Sequence, residues 1–333
     1  MNLETDYLGL KLRNPLVASA GPMTQTADRV QRLVEAGVGA VVLPSLFEEQ
    51  IRAEADRDER LAEVGIDSFG EAMTYLIDPD AGIWPRQYLE LIERATGSGV
   101  PVIASLNGST AGGWTDYARA MQDAGAAAVE LNIYYLPADP PLSARDAEQR
   151  YLDILTMVKS AVSLPVAVKL TPYFSSFDEM AVRLDRAGAD GLVLFNRFMQ
   201  TDINPDTLTI STGFKLSSPG EATVARSWIA RLRGHMRASL AASTGVETAD
   251  DVAAYLLAGA DVVMTTSSLL RHGPAHAKVL LDGLTAWLER KGFGGIGEVR
   301  GMLAAGADAA GPGYGRSGYL SAVERGTRVY GPR

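Results

Sequence analysis

Ala-Gly followed by a short apolar run occurs four times in the chain: "AGVGAVVLPS" (36–45), "AGAAAVELNI" (124–133), "AGADGLVLFN" (187–196) and "AGADVVMTTS" (258–267). In each copy the pair ends a stretch of helical periodicity, with glycine where a left-handed residue caps a helix. The apolar run behind it lacks the polar alternation of a half-exposed strand, so it reads as a strand covered on both faces. A second phrase alternates with the first: "NPLVASAG" (14–21), "VPVIASLNG" (100–108), "LPVAVKLTP" (164–172) and the looser "ASLAASTG" (238–245). Three of these open with proline, which suits the first residue of a strand. Helical patterns over 116–124, 146–162, 176–187 and 248–258 lie between the strands, and most open on Asp, Ser or Thr as N-caps do. Eight strand–helix units in strict alternation predict an α/β fold, the (β/α)8 TIM barrel. A doubly wound open sheet is the alternative, but it does not need eight evenly patterned strands.

Two connections exceed ordinary length. Residues 46–84 follow the second strand and carry the charged "EEQIRAEADRDERLAE"; residues 197–220 follow the sixth and contain the alternating "TLTIS", which predicts a hairpin strand. Both leave the C-terminal ends of strands, so extended loops after strands 2 and 6 are expected on the face where barrels do chemistry. The barrel is expected to span residues 1–303. Residues 304–333 form a tail, rich in Gly and Ala before "YLSAVERGTRVY", that packs on the barrel or on a partner subunit.

Composition narrows the function classes. The chain has 333 residues, 47% of them hydrophobic, enough for a large core. A net charge of −9 weighs against nucleic acid and anionic membrane surfaces as partners. No run of eighteen apolar residues predicts a membrane span, and "MNLETDYLGLKLRNP" does not read as a signal peptide, so the expected location is cytoplasmic. The absence of cysteine removes disulfides, thiolate metal sites and a cysteine nucleophile or base. His272 and His276 are four apart, a spacing that can ligate a metal on one helix face. Pro274 between them marks a helix start and puts His272 ahead of it, so no metal is expected.

The strand ends are polar. They read Ala20-Gly21, Pro44-Ser45, Asn107, Asn132, Lys169, Asn196, Thr244-Gly245 and Thr266-Ser267. One Asn at a strand end is usually a turn former, whereas three Asn and a Lys converging on one rim make a candidate site. Lys169 stands within the apolar "PVAVKL", and a buried lysine is rare unless paired or functional. It either bonds a backbone or carboxylate partner, offers positive charge to a ligand, or forms a Schiff base. "STG" and "TTSS" fall after strands seven and eight, where barrels hold phosphate with backbone N–H groups and hydroxyls.

Taken in order, "NPLVASAG", the Asn-containing fourth strand, "VKLTPYF", the Asn-ending sixth strand, "STGVETADD" and "TTSSLLRHGP" resemble the class 1 dihydroorotate dehydrogenases over about residues 3–303. The resemblance implies a bound FMN at the barrel mouth. By it Ala20, Gly21 and Ser45 approach the isoalloxazine and ribityl chain, and Asn107 and Asn132 line the flavin. Lys169 lies near the N1–O2 edge, and Thr244, Gly245, Thr266 and Ser267 hold the phosphate. Asn132 and Asn196 also face the substrate, and Ser68 stands where the family offers an Asn. Three departures stand out. Pro44 replaces a family lysine, and the glycine-rich turn before the seventh helix reads "GFKLSS". The family's Ser-Cys-Pro-Asn, with its cysteine base, is here Tyr134, Tyr135, Leu136 and Pro137.

Tyr135 therefore occupies the position of the base. With an ordinary value near ~10 it is suited to donate a hydrogen bond or act as an acid, unless Lys169 or Arg197 depresses it; the alternative is an aromatic wall. Arg197 could bind a substrate carboxylate or bridge to an acidic loop residue. The expected protein is an FMN-dependent oxidoreductase acting on CH–CH bonds. It moves hydride between flavin N5 and a small carbonyl-conjugated substrate, and true dihydroorotate oxidation is in doubt for want of the base. A homodimer and a redox partner protein are expected partners. The rivals are a non-flavin aldolase using Lys169 as Schiff base, and a non-catalytic flavin-binding partner subunit.

Overall fold

A computed structural model describes residues 1–64, 85–110, 114–135, 142–197, 201–213, 215–305 and 316–331. Eight parallel strands close into a barrel: β1 (Leu16–Ala18), β2 (Ala40–Phe47), β3 (Val102–Gly108), β4 (Ala128–Ile133), β5 (Val166–Leu170), β6 (Gly191–Leu194), β7 (Ser239–Ala242) and β8 (Val262–Thr265). They pair in sequence order, and β8 closes onto β1. The (β/α)8 expectation holds, and each repeated phrase is one strand of the barrel.

The local reasons are those of the sequence pattern. Gly37, Gly125, Gly188 and Gly259, the glycines of the four Ala-Gly pairs, have φ of +105°, +94°, +96° and +116°. Side chains strain in that region and glycine does not, so each pair ends its helix and releases the chain into a strand. The three strand-opening prolines lose an N–H but keep a carbonyl. Pro15, Pro101 and Pro165 accept from Val263, Val41 and Val129 N–H at 2.8, 3.1 and 3.0 Å, so the ladder starts at the proline itself.

The Asp of the third and fourth copies does the same work at the floor of the barrel. Asp190 accepts from the Val166 N–H at 2.7 Å and from Lys159 Nζ at 2.6 Å. Asp261 accepts from the Leu240 N–H at 2.8 Å, from Arg233 at 2.8 Å and from Arg300 at 3.1 Å. Each carboxylate thus fixes the start of the neighbouring strand and a cation from an adjoining segment.

Inside the barrel the lining is small and apolar: Val17, Ala40, Val42, Ile103, Ala128, Ala167, Val193, Ala241, Val262 and Met264. A hairpin of Thr5–Tyr7 and Leu10–Leu12 plugs the floor with Tyr7, Leu8 and Leu12. Its two-residue turn, Leu8-Gly9, has φ of +56° and +75°, the geometry that suits a tight hairpin. Gly191 makes room for it, since a Cβ there would lie 2.5 Å from Leu8 Cδ2. A larger apolar layer joins the outer strand faces to the helices.

The expected hairpin after the sixth strand is present as Thr201–Asn204 and Thr209–Thr212. The charged segment after the second strand is the helix Glu48–Val64. Backbone N–H groups of Gly301, Leu303 and Ala305 bond to Leu256, Leu257 and Ala230, tying this stretch to the helical shell. Beyond it the helix Arg316–Tyr330 exposes Tyr319, Leu320, Val323, Val329 and Tyr330.

Asp261→Ala removes an acceptor shared by two arginines and a backbone N–H. We expect a loss of roughly 2–4 kcal/mol in urea denaturation, with ligand binding at the opposite face retained once the protein is folded.

Candidate functional site

Side chains alternate along a strand, so the inward lining fixes what reaches the mouth. On β3 the inward Ile103 is followed by Ser105 and Asn107; on β4, Ala128 by Glu130 and Asn132; on β5, Ala167 by Lys169. Register sets Asn107 beside Asn132 and Asn132 beside Lys169. Asn196, just past β6, donates its side-chain amide to Asn132 Oδ1 at 2.8 Å. The predicted asparagines and lysine therefore form one arc of the rim.

Ser45 joins this arc through an irregularity. Val42 pairs with Ile103 and Ser45 with Ser105, so Leu43 and Pro44 together oppose one residue of β3. The extra residue shifts the inward parity from Pro44 to Ser45. Ser45 Oγ meets Ser105 Oγ at 2.8 Å.

Lys169 is 8% exposed, and its Nζ lies 3.3 Å from Oε1 of Glu130, which is 1% exposed. The carboxylate partner left open by sequence is thus present. Sequence reasoning missed Glu130 as a site residue; the available signal was an acidic residue at an inward position of an apolar strand.

The opposite arc comes from β7 and β8. Thr244 and Gly245 have φ of +81° and +71°, two consecutive left-handed residues that turn the chain sharply. A Cβ on Gly245 would lie 2.7 Å from Ala222 N and 2.8 Å from Ser218 O, so only glycine fits. The Gly245 N–H donates to Ser217 Oγ at 3.2 Å, and Ser217 N–H and Oγ each reach Ser267 Oγ at 3.0 Å. Ser217 was also missed, because it arrives from the "GFKLSS" segment and only folding brings it here. Thr266 Oγ1 donates to Ser19 O at 2.9 Å and Ala20 O at 3.3 Å. Gly21 permits that approach, since its Cβ would lie 2.6 Å from Thr266 Cγ2. Arg271 donates to Ser217 O at 2.6 Å. Hydroxyls, a backbone turn and one guanidinium thus cluster at this corner.

Arg197 bridges to an acidic loop residue. Its Nε and Nη2 lie 3.1 and 3.0 Å from Glu221 Oε1, and Nη1 donates to Lys215 O. Tyr135 has Arg150 over its ring, 4.1 Å from the centroid, and Arg150 also donates to Ser109 O at 2.9 Å. Lys169 and Arg197, the cations expected to act on Tyr135, are instead engaged by Glu130 and Glu221. His272 Nε2 lies 2.6 Å from Glu247 Oε1, and His276 Nε2 lies 3.0 Å from Glu247 O. Ser68, Leu136 and Pro137 lie outside the described residues.

Three glutamates staple the rim loops, each held below the ordinary carboxyl range. Burial opposes ionisation in all three and is outweighed. For Glu48 the opposing groups are the Thr110 hydroxyl, the Ser109 and Thr110 N–H groups and Arg52. For Glu221 they are the Ser218 N–H and Arg197, and for Glu247 they are His272 and Arg271. A carboxyl lowered by folding stabilises above its unfolded value, near ~4.3, and that stability is lost as pH falls through the lowered value. We therefore expect hydrogen exchange below about pH 4 to show residues 108–110, 215–221 and 244–248 losing protection before the barrel strands do.

The profile of the family described as dihydroorotate dehydrogenase matches residues 2–288. The chain is 28% identical over 310 residues to dihydroorotate dehydrogenase B (NAD(+)), catalytic subunit, of Methanothermobacter thermautotrophicus, across 90% of this chain and 98% of that one. It is 32% identical over 298 residues to the protein of the same name in Methanocella arvoryzae, across 87% and 94% of the two chains. Identity of 22% over 324 residues links it to the NAD-dependent dihydropyrimidine dehydrogenase subunit PreA of Escherichia coli, across 90% and 76%. Matched over most of its length and folded as a closed eight-stranded barrel with a polar mouth, the chain belongs to the dihydroorotate dehydrogenase family.

Proposed function

We propose that this protein is an FMN-dependent oxidoreductase whose substrate is a small carbonyl-conjugated molecule other than dihydroorotate. The observation that carries the reading is the pairing of two unlike arcs across one mouth. One holds a buried ammonium among asparagines; the other is a hydroxyl-rich turn that only glycine can make. The residues fit the group. Thr244, Gly245, Thr266 and Ser267, joined by Ser217 and Arg271, have the donors a phosphate takes. In this reading Ala20, Gly21 and Ser45 would line the approach, and Asn107 and Asn132 would offer amides to the ring edge.

FMN, when bound, would supply a hydride-accepting ring whose electron distribution turns negative on reduction. Lys169 supplies the fixed positive charge that favours that electron distribution. Asn132 and Asn196, bonded to each other, orient carbonyl or carboxyl oxygens of the substrate. Arg197 shapes the loop through Glu221 and reaches substrate only by way of that loop. Tyr135 walls the site, with Arg150 stacked on its ring. The chain has no cysteine to act as the family's base, which argues against dihydroorotate as substrate. Relatives named as catalytic subunits support a protein partner, and we propose a homodimer as the unit that meets it. Among the described residues no helix is long and apolar enough to cross a membrane.

Titration of the purified chain with FMN, followed by an anaerobic screen for flavin bleaching, tests the reading. We expect stoichiometric uptake and bleaching by a compound other than dihydroorotate; absence of uptake overturns it. Gly245→Ala should weaken FMN binding at least about tenfold, or ~1.4 kcal/mol, while the barrel stays folded by circular dichroism. Tyr135→Phe should keep kcat/KM on the bleaching substrate within about threefold, and a larger loss would make the hydroxyl catalytic.

A further inference from the structure

Glu130 stands one layer beneath the mouth, in register with Ser105 on one side and Ala167 on the other. One of its oxygens faces Lys169 Nζ at 3.3 Å. The other, Oε2, is buried with no hydrogen-bond partner among the described residues, as is the hydroxyl of Tyr7 on the floor plug. Buried ion pairs gain little net stability over apolar packing, so one kept in so narrow an interior calls for another use.

We propose that Glu130 is a positioning residue that keeps Lys169 charged and fixed at the inner wall, so that the mouth offers an ammonium rather than a neutral amine. What the ammonium then does there rests on the flavin reading; the pairing does not. Burial alone favours the uncharged amine of a lysine, and an adjacent carboxylate reverses that preference.

The groups facing the pair leave this assignment clean. Tyr7, from the floor hairpin, is held well above the ordinary tyrosine range by burial, then by the charges of Glu130 and Asp261. Tyr88, from the helix Pro85–Thr96, is raised by burial and by Glu130, against a hydrogen bond with the Ser105 backbone. Both therefore stay protonated at neutral pH. Asp261 sits at the floor, paired with Arg233 and Arg300. The other inward side chains around the pair, Val42, Ile103, Ser105, Ala128, Ala167, Val193, Ala241 and Met264, do not titrate, nor do Asn132 and Asn196 above it.

The test is the pH dependence of stability of the full chain without added FMN, for wild type, Glu130→Gln and the double variant E130Q/K169M. With the carboxylate replaced by an amide, the folded chain holds fewer protons than the unfolded chain near neutrality, so its stability rises with pH relative to wild type. We expect the urea midpoint of E130Q to fall below wild type at about pH 6 and the gap to close by about half or more by about pH 9. The double variant, with no lysine to discharge, should lose that slope. Parallel profiles of wild type and E130Q, or a slope that survives in the double variant, overturn the proposal. If E130Q alone does not fold, recovery of folding in the double variant supports it and failure of both overturns it. In FMN-loaded protein, the reduction potential of E130Q should fall more steeply with pH than that of wild type. Wild-type chain that takes up no FMN overturns the flavin reading and leaves the stability comparison as the judge of the pair.

Discussion

Closure of a parallel ladder onto itself governs everything else in this protein. With no free edge, each strand must present alternate side chains to a narrow interior, and no inward position can escape the barrel except at its two ends. The lower layers answer with Ala and Val, and the floor is stoppered by Tyr7, Leu8 and Leu12. Polar inward residues gather toward the mouth, where Asn107, Asn132, Lys169 and Ser45 stand, with Ser105 and Glu130 one layer beneath them. The site follows from the geometry of closure before any chemistry is considered.

What could be read from the sequence was what local chemistry determines. The glycines of the Ala-Gly phrases can take positive φ at a helix end without strain, and a proline at a strand start needs no knowledge of its neighbour. Together with the apolar runs they marked the eight strands and several of the helices between them, and the alternation of "TLTIS" marked the hairpin after β6. What stayed hidden depends on partners far along the chain. Glu130 needs Lys169 across a strand boundary, and Ser217 needs Ser267 fifty residues on. Arg197 offered two readings, and only the position of Glu221 chose between them. The bulge at Leu43-Pro44 is subtler: Ser45 was named from its place at a strand end, but its inward direction follows from the register of β2 against β3.

The two arcs of the mouth carry different kinds of family likeness. The β7–β8 corner is built from backbone turns and hydroxyls, groups that suit a phosphate regardless of the ring attached to it. The β4 arc ends in Tyr134 and Tyr135, which by the resemblance stand where the family carries its Ser-Cys pair. Under the proposed function, such a protein would keep its cofactor grip while changing what it oxidises. Arg150 stacked on Tyr135 and linked to the backbone of Ser109 makes that new wall rigid, so the change is built into the packing around it.

The floor plug has a consequence for how the chain is made. Its hairpin spans residues 5–12 and precedes every barrel strand in the chain, so it is translated before the strands it plugs. The Leu8 N–H waits for Ser239 Oγ, the Thr5 hydroxyl for Asp261 O, and the Asn2 N–H for Gly294 O. A segment translated ahead of the strands is therefore completed only by residues at the last two of them and beyond, and the floor stays unsealed until those have emerged. Until β7 and β8 emerge, Leu8 and Tyr7 remain uncovered apolar groups, and this is the interval in which a chaperone or a protease has its best opportunity.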